Sequence, residues 1–333
     1  MDADRTRSTT APGSPPTGGT GTSGPPPAGS PTLACHAAET GHPAPRLGED
    51  CWFLSGPTAS GKSALAIPLA RRLGAEIVSV DSMAVYRGLD VGTAKPTPAQ
   101  QAAVPHHVVN VVEAGEAYSV ARWLDDAARA MADCRSRGRG VLFVGGTPLY
   151  LRALRDGLAP LPPADPDLRQ RLAEEAAASG PEALHARLVA IDPPSAARIH
   201  PRDAKRIIRA LEVAETTGRP LSHAFAPAPN PLFEPRLMIV DLPRATLYDR
   251  IDRRVARMFA EGIVEETHAA LARPGGLGPT ARQAAGYAEA IDLIDGRIDL
   301  AEAVRRTQQR TRQLAKRQLT WLRSFAAATW VAA

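Results

Sequence analysis

Eight consecutive residues, Gly56, Pro57, Thr58, Ala59, Ser60, Gly61, Lys62 and Ser63, carry chemistry through their spacing. They fit the pattern G-x-x-x-x-G-K-[S/T] at every fixed position. The glycines let the backbone curl, so that successive N–H groups point at one anion. A helix beginning near Lys62 adds the positive end of its dipole. Lys62 supplies a mobile cation, and the Ser63 hydroxyl can bind Mg²⁺. The stretch is therefore a cradle for phosphate or diphosphate. Such loops most often hold ATP or GTP. A nucleotide hydrolase, however, normally places an acid at the end of another strand. The run GVLFVGG (Gly140–Gly146) leads into Thr147 with no acid, and the base-reading motif NKxD of GTPases is absent. A P-loop small-molecule kinase stays open on these residues.

The elements that position the cradle follow from hydrophobic pattern. CWFLS (Cys51–Ser55) is a short apolar run ending at the glycine-rich turn and reads as a buried strand, with a helix over Ser63–Leu73. AEIVSVD (Ala75–Asp81), HHVVNVV (His106–Val112) and Gly140–Gly146 read as further strands. Ser119–Arg135 reads as a helix, and Pro148–Arg155 opens another. Strands alternating with helices predict a parallel α/β sheet covered on both faces, a P-loop NTPase-like core. Asp81 directly follows the second strand. Residues past the carboxyl ends of parallel strands line the crevice of such sheets. Its carboxylate would then lie beside the cradle, to bind Mg²⁺ or accept a proton; a helix N-cap is the alternative.

Residues 1–48 are rich in Pro, Gly, Ser and Thr and cannot bury enough apolar surface to offset the entropy of ordering. They are expected to form a disordered tail. The core's first part is expected over 49–155. From 156 to 235 no strand is convincing, and helices are expected at Asp167–Ala178, Glu182–Ile191, Pro194–Ile199 and Asp203–Thr217. This is a helical insertion. RLMIVDL (Arg236–Leu242) returns as a strand, and residues 236–333 complete the core with a long final helix from Leu300 to Phe325.

Composition narrows the function classes. The chain has 333 residues, 44% hydrophobic, with net charge +5, a balance that suits an acidic or nucleic-acid partner. Cys35, Cys51 and Cys134 are scattered, without a CxxC pair, which argues against a disulfide framework or zinc site and for a reducing cytoplasm. No apolar run approaches the roughly 20 residues of a membrane span. His106 and His107 have no metal-like partners in sequence and are expected to be packed or hydrogen-bonded.

Six segments, in order and spacing, carry a resemblance: GPTASGKS, DSMAVYRGLDVGTAKP, PHH, VGGTPLYLRAL, HPRDAKRIIRALE and RQLAKRQLTWLR. Together they resemble the tRNA dimethylallyltransferases, also called tRNA isopentenyltransferases, over roughly residues 51–331. The resemblance implies transfer of a dimethylallyl group from dimethylallyl diphosphate to the exocyclic amine of the adenosine 3′ to a tRNA anticodon. The cradle would hold the leaving diphosphate, and its shape also admits a nucleotide. Asp81 matches the family's general base, Thr147 a threonine close to the reacting base, and Arg254 an arginine on the leaving group, with Arg250 one turn earlier. Mg²⁺ on Ser63 is the implied cofactor.

The same resemblance implies a helical grip on the anticodon stem-loop and a base drawn out of its stack. Arg169 matches a tRNA-contacting position. Asp81, Ser82, Met83, Ala84 and Thr147 would meet the target base. Lys205, Arg206, Ile207, Ile208 and Arg209 form a basic segment at helical spacing, with the two isoleucines on the opposite side. Gln283 and Tyr287 lie in a turn that could touch bases. On the final helix Arg305, Arg312, Lys316 and Arg323 form one stripe, flanked by Arg306, Arg310 and Arg317, with Val304, Ala315, Leu319 and Leu322 opposite. A positive face of this kind suits a phosphate backbone. An ordinary solvated amphipathic helix is the alternative. Two positions depart from the family pattern: Ala84 stands where Gln is usual and Asn110 where an acid is common. A monomer with no obligate protein partner is expected. The rival to this enzyme, besides the kinase, is an RNA-binding protein that retains the phosphate loop as structure.

Overall fold

The computed structural model describes residues 45–224 and 230–332. The tail expected over 1–48, and Cys35 within it, thus lie largely outside the described residues. Leu47 already packs on the core and is only 6% exposed.

Elements alternate through the first half: β1 (Cys51–Ser55), α1 (Lys62–Leu73), β2 (Ala75–Ser79), α2 (Pro98–Ala103), β3 (His106–His107), α3 (Val120–Ser136), β4 (Gly140–Val144) and α4 (Pro148–Asp156). Four helices follow with no strand: α5 (Pro166–Ser179), α6 (Pro181–Ile191), α7 (Pro193–Arg198) and α8 (Ala204–Thr217). The chain returns through β5 (Leu237–Asp241), α9 (Arg244–Ala260), α10 (Ile263–Leu271), α11 (Pro279–Arg282), α12 (Tyr287–Ile294), α13 (Leu300–Leu322) and β6 (Thr329–Ala332).

The sheet is six-stranded, ordered β3-β2-β4-β1-β5-β6, and every pairing is parallel. Apolar strand residues are buried on both faces, as a parallel sheet covered by helices requires. Phe53 of β1 stacks on Phe143 of β4 at 5.3 Å and meets Phe233 at 4.4 Å, while Phe233 meets Phe325 at 5.7 Å. These rings tie the end of the helical segment and the end of α13 to one face of the sheet. Helices α5–α8 bury an apolar cluster of their own, built on Leu168, Leu172, Leu184, Leu188, Ile207 and Leu211.

Besides the short helix α2, which buries no residue and shows no apolar periodicity, two elements differ from expectation. The strand predicted over His106–Val112 stops at His107, because Val108 and Asn110 adopt left-handed backbone (φ 57° each). The chain there pairs with the loop after β2 instead: Asn110 donates to Ala84 at 3.1 Å, Val111 to Val85 at 2.8 Å, and Arg87 to Val112 at 2.8 Å. Asn tolerates this conformation better than most residues, and its side-chain oxygen accepts from Lys95 at 2.7 Å. The second difference is β6, which was not anticipated. It adds four exposed residues beside β5. No helix among the described residues is long and apolar enough to cross a membrane.

Candidate active site

The parallel sheet brings the carboxyl ends of β1, β2 and β4 to one edge. The loop 56–61 leaves β1, Asp81 follows β2, and Thr147 follows β4. All three meet at a single cavity of about 300 Å³, lined among others by Thr58, Lys62, Ser63, Asp81, Thr147 and Arg254. Apolar side chains complete it, including Ile67, Ile77, Val109, Val144 and Met258. A pocket with an apolar body and a few convergent polar groups is the usual form of a small-molecule site.

The cradle has the conformation its sequence demands. A Cβ on Gly56 would stand 2.8 Å from Ser60 Oγ and 3.0 Å from the Val240 carbonyl, so only glycine fits. Ala59 and Gly61 both take positive φ (63° and 95°), which curls the loop into α1. Helix α1 starts at Lys62 without a side-chain cap, so its first N–H groups remain for an anion. Ser60 Oγ is buried without a partner inside the same loop. Lys62 Nζ donates to the Pro57 carbonyl at 3.2 Å. Loss of water around this partly exposed ammonium lowers its pKa to about 8; the Asp81 carboxylate acts against that and the Arg254 guanidinium with it.

Asp81 Oδ1 accepts from the N–H groups of Met83 (2.8 Å) and Ala84 (3.3 Å), a local turn that holds the carboxylate in place. No helix follows Asp81, so the N-cap reading fails; the carboxylate forms a local turn and lines the cavity. The Thr147 hydroxyl oxygen accepts from Ser82 N–H at 3.1 Å and does not cap α4, which leaves its proton to donate. Arg254 donates to Thr58 Oγ1 (3.2 Å) and to the Thr93 carbonyl (3.4 Å), and desolvation lowers its pKa against the pull of Asp81. Arg250 donates to the Ser60 carbonyl at 3.2 Å. Of the two arginines, Arg254 lines the cavity and Arg250 braces the loop.

The residues expected to meet RNA divide by environment. Lys205, Arg206, Gln283, Lys316, Arg317 and Arg323 are exposed. Arg206 pairs with Asp203 at 3.2 Å. Lys316, Arg317 and Arg323 form no ion pair among the described residues. Others are engaged inside the protein. Ile207 is fully buried in the cluster of α5–α8, so its side chain packs rather than faces a ligand; Ile208 is half-buried beside it. Arg169 and Arg209 both hold the buried Glu212 carboxylate, at 2.9 and 2.6 Å. Burial alone would raise the pKa of Glu212, but these guanidinium bonds hold it below the usual range. Arg312, placed in the basic stripe from sequence, turns to Asp252 of α9 at 2.7 Å, and Arg305 and Arg306 pair with Glu302. Ser82, Met83 and Ala84 line the cavity.

Tyr287 also lines the cavity, but its hydroxyl donates to Glu266 at 2.6 Å. Glu266 was missed in the sequence. Its carboxylate also accepts from the N–H groups of Asp90, Val91 and Gly92 (2.6, 2.8 and 3.2 Å) and so fastens the loop that follows Asp81. Gln318 was missed as well: its carboxamide joins Thr58 to Gly146. One signal for it existed, since Gln318 and Thr311 fall on the buried face of an otherwise amphipathic helix. The two histidines are hydrogen-bonded, His106 to the Val104 carbonyl at 2.7 Å and His107 to Glu76 at 2.6 Å. The Cys134 thiol lies 3.5 Å from the His107 ring, and burial, then Glu76, pushes its pKa up to about 12. Arg137 completes this group with a bond to Glu76 at 2.7 Å.

Comparison with known proteins gives the family. The family model for IPP transferase matches residues 84–325, and that for isopentenyl transferase matches residues 49–105. A tRNA dimethylallyltransferase of Anaeromyxobacter sp. (strain Fw109-5) is 53% identical over 283 residues, 84% of this chain and 93% of that protein. One from Methylococcus capsulatus is 50% identical, covering 84% and 90%. Among solved structures, the full-length tRNA isopentenylpyrophosphate transferase of Bacillus halodurans superposes with a TM-score of 0.60 at 39% identity, over 86% of this chain and 90% of the other. A eukaryotic dimethylallyltransferase acting on tRNA gives 0.66 at 25% identity, over 85% and 73%. With its cradle, its cavity-facing acid and these relatives across most of its length, the chain belongs to the IPP transferase family.

Proposed function

We propose that this chain is a tRNA dimethylallyltransferase. It moves a dimethylallyl group from dimethylallyl diphosphate to the exocyclic amine of the adenosine 3′ to a tRNA anticodon, giving isopentenyladenosine and diphosphate. The observation that carries the reading is the shared cavity: an anion cradle and a carboxylate line one space whose remaining walls are largely apolar. The diphosphate lies on the P-loop, the allyl chain against Ile67, Val144 and Met258, and the adenine enters beside Asp81 and Thr147.

Adenine's exocyclic amine is a weak nucleophile because its lone pair is delocalised into the ring. As its nitrogen forms a bond to the allylic carbon, the C–O bond to diphosphate breaks and the surplus N–H proton passes to Asp81. General-base help of this kind contributes about 10²–10⁴-fold. The loop N–H groups, Lys62 and Arg254 meet the charge that grows on the leaving group. The Thr147 hydroxyl orients the base. The oxygen donor of Ser63, exposed at the start of α1, is a hard ligand suited to Mg²⁺. That ion would neutralise diphosphate charge beside the loop. Helices α5–α8 grip the anticodon stem, with Lys205 and Arg206 on their exposed side, and α13 presents Lys316, Arg317 and Arg323 to phosphates. The enzyme works as a cytoplasmic monomer.

Incubating the protein with radiolabelled dimethylallyl diphosphate and unmodified tRNA tests the reading. Label recovered in tRNA as isopentenyladenosine supports it. Transfer of phosphate from ATP to a small hydroxyl compound, with no label in RNA, would replace it with a kinase. Tight tRNA binding with neither reaction would make the chain an RNA-binding protein.

A further inference from the structure

Gln318 belongs to α13, the helix whose exposed side carries Lys316 and Arg317, yet its own side chain is only 8% exposed. Its Oε1 accepts the Thr58 N–H at 2.9 Å, and its Nε2 donates to the Gly146 carbonyl at 2.7 Å. Both ends of one rigid carboxamide are thereby used, 260 and 172 residues away in sequence. The first anchor is inside the diphosphate cradle. The second directly precedes Thr147, in the turn beside the adenine entry. A Cβ on Gly146 would lie 2.7 Å from Gln318 Nε2 and 2.8 Å from the Gly56 carbonyl, so glycine at 146 is what allows this approach. Thr58 is gripped from a second side as well, where Arg254 donates to its hydroxyl at 3.2 Å.

We propose that Gln318 is a positioning residue for the transfer: by bridging Thr58 and Gly146 it sets the separation between the diphosphate cradle and the Thr147 turn. The inference rests on the proposed activity. That separation governs the distance from the allylic carbon, held by its diphosphate, to the amine held beside Thr147 and Asp81. Reacting atoms must lie about 3–3.5 Å apart, and a misplacement near 1 Å costs on the order of 10²-fold in rate. Gln318 lines the cavity, but its carboxamide oxygen and one amide hydrogen are spent on Thr58 and Gly146 rather than on a substrate. Its effect should therefore fall on kcat, with little change in affinity for tRNA.

Two variants test this in the full-length enzyme. Gln318→Leu keeps the volume and removes both hydrogen bonds. It should lower kcat about 10–100-fold while tRNA Kd stays near wild type; Tm falls by a few degrees, because the Thr58 N–H and the Gly146 carbonyl lose their partner. Gln318→Glu is the decisive variant. A protonated glutamic acid can accept from Thr58 and donate to Gly146, atom for atom as the amide does; an ionised one sets a second acceptor against the Gly146 carbonyl. Its kcat relative to wild type, compared at each pH, should climb as pH falls through the pKa of the introduced carboxyl, which lies between the ordinary glutamate value of about 4.3 and the raised values of buried carboxyls. Lys62 and Arg254 on the cavity wall favour the ionised form and move that recovery to lower pH, and Asp81 opposes them. Dividing by wild type at each pH removes the titrations common to both enzymes. Gln318→Leu with kcat within about twofold of wild type would overturn the proposal. So would a Gln318→Glu ratio that is flat with pH, which would leave Gln318 a packing residue. Should Gln318→Leu fail to fold, the Gln318→Glu ratio decides alone. A wild-type enzyme that transfers no dimethylallyl group would instead sink the proposed function.

Discussion

Lys62 stands between an opposite charge, Asp81, and a like one, Arg254, in surroundings that take water from its ammonium. Desolvation lowers its pKa to about 8, against roughly 10.4 for a free lysine. The consequence for pH follows in sign. Between about pH 8 and 10 the unfolded chain holds a proton on Lys62 that the ligand-free folded protein has released. Folding stability from this group therefore rises across that window, while the cation needed for diphosphate fades. The KM for dimethylallyl diphosphate should increase above about pH 8, and initial-rate kinetics across pH will read it. In Lys62→Met the KM should be high throughout and lose this dependence; an unchanged pH profile would mean that Lys62 does not bind the donor. At this scale much of the site was legible in sequence. Gly56 to Ser63 act through local spacing, and Asp81 and Thr147 each follow a recognisable strand. Glu266 was not legible, and Gln318 only as a polar residue on a buried helix face, because each acts on backbone groups more than 170 residues away and nothing in their neighbouring residues marks those partners.

Helix α13 shows how one element divides its duties. Ala303, Thr307, Thr311, Ala315, Gln318 and Leu322 form its buried side. Arg305, Arg306, Arg310 and Arg312 are held by acids of the protein itself, whereas among the described residues no acid holds Lys316, Arg317 or Arg323. A basic stripe read at 100° per residue thus shrinks to its C-terminal half. The sequence pattern identifies the face but not the carboxylates that neutralise part of it. Reversing charge at Lys316 and Arg323 together should weaken tRNA binding and flatten the dependence of log K on log salt by about one to two units. Filter binding at several salt concentrations measures this, and an unaltered slope would place the RNA elsewhere. The third strand teaches the same lesson. Its apolar run is extended only over His106 and His107, and it could not reveal that the chain turns left-handed at Val108 and Asn110 and pairs with the loop 84–87 rather than with β2. Strand β6 escaped notice because four exposed residues carry no apolar alternation to see.

The whole molecule joins a parallel sheet, which gathers an anion cradle and an acid at one edge, to a set of helices with their own apolar core. The alternation of strands and helices made the sheet legible, and the loss of that alternation after Asp156 marked the helical segment. The family match begins at residue 49, so the preceding Pro- and Gly-rich stretch should be dispensable for catalysis. Removing residues 1–44 is expected to leave kcat/KM within about twofold, and steady-state assay of the shortened protein checks it. The account's central claim is that Asp81 removes a proton from an amine while the cradle opposite receives the departing diphosphate. Single-turnover transfer by Asp81→Asn, with tRNA and dimethylallyl diphosphate both saturating, tests it most directly. The account predicts a rate lowered about 10²–10⁴-fold with both substrates bound as tightly as by wild type. A rate close to wild type, or a loss explained wholly by weaker binding of either substrate, would contradict it.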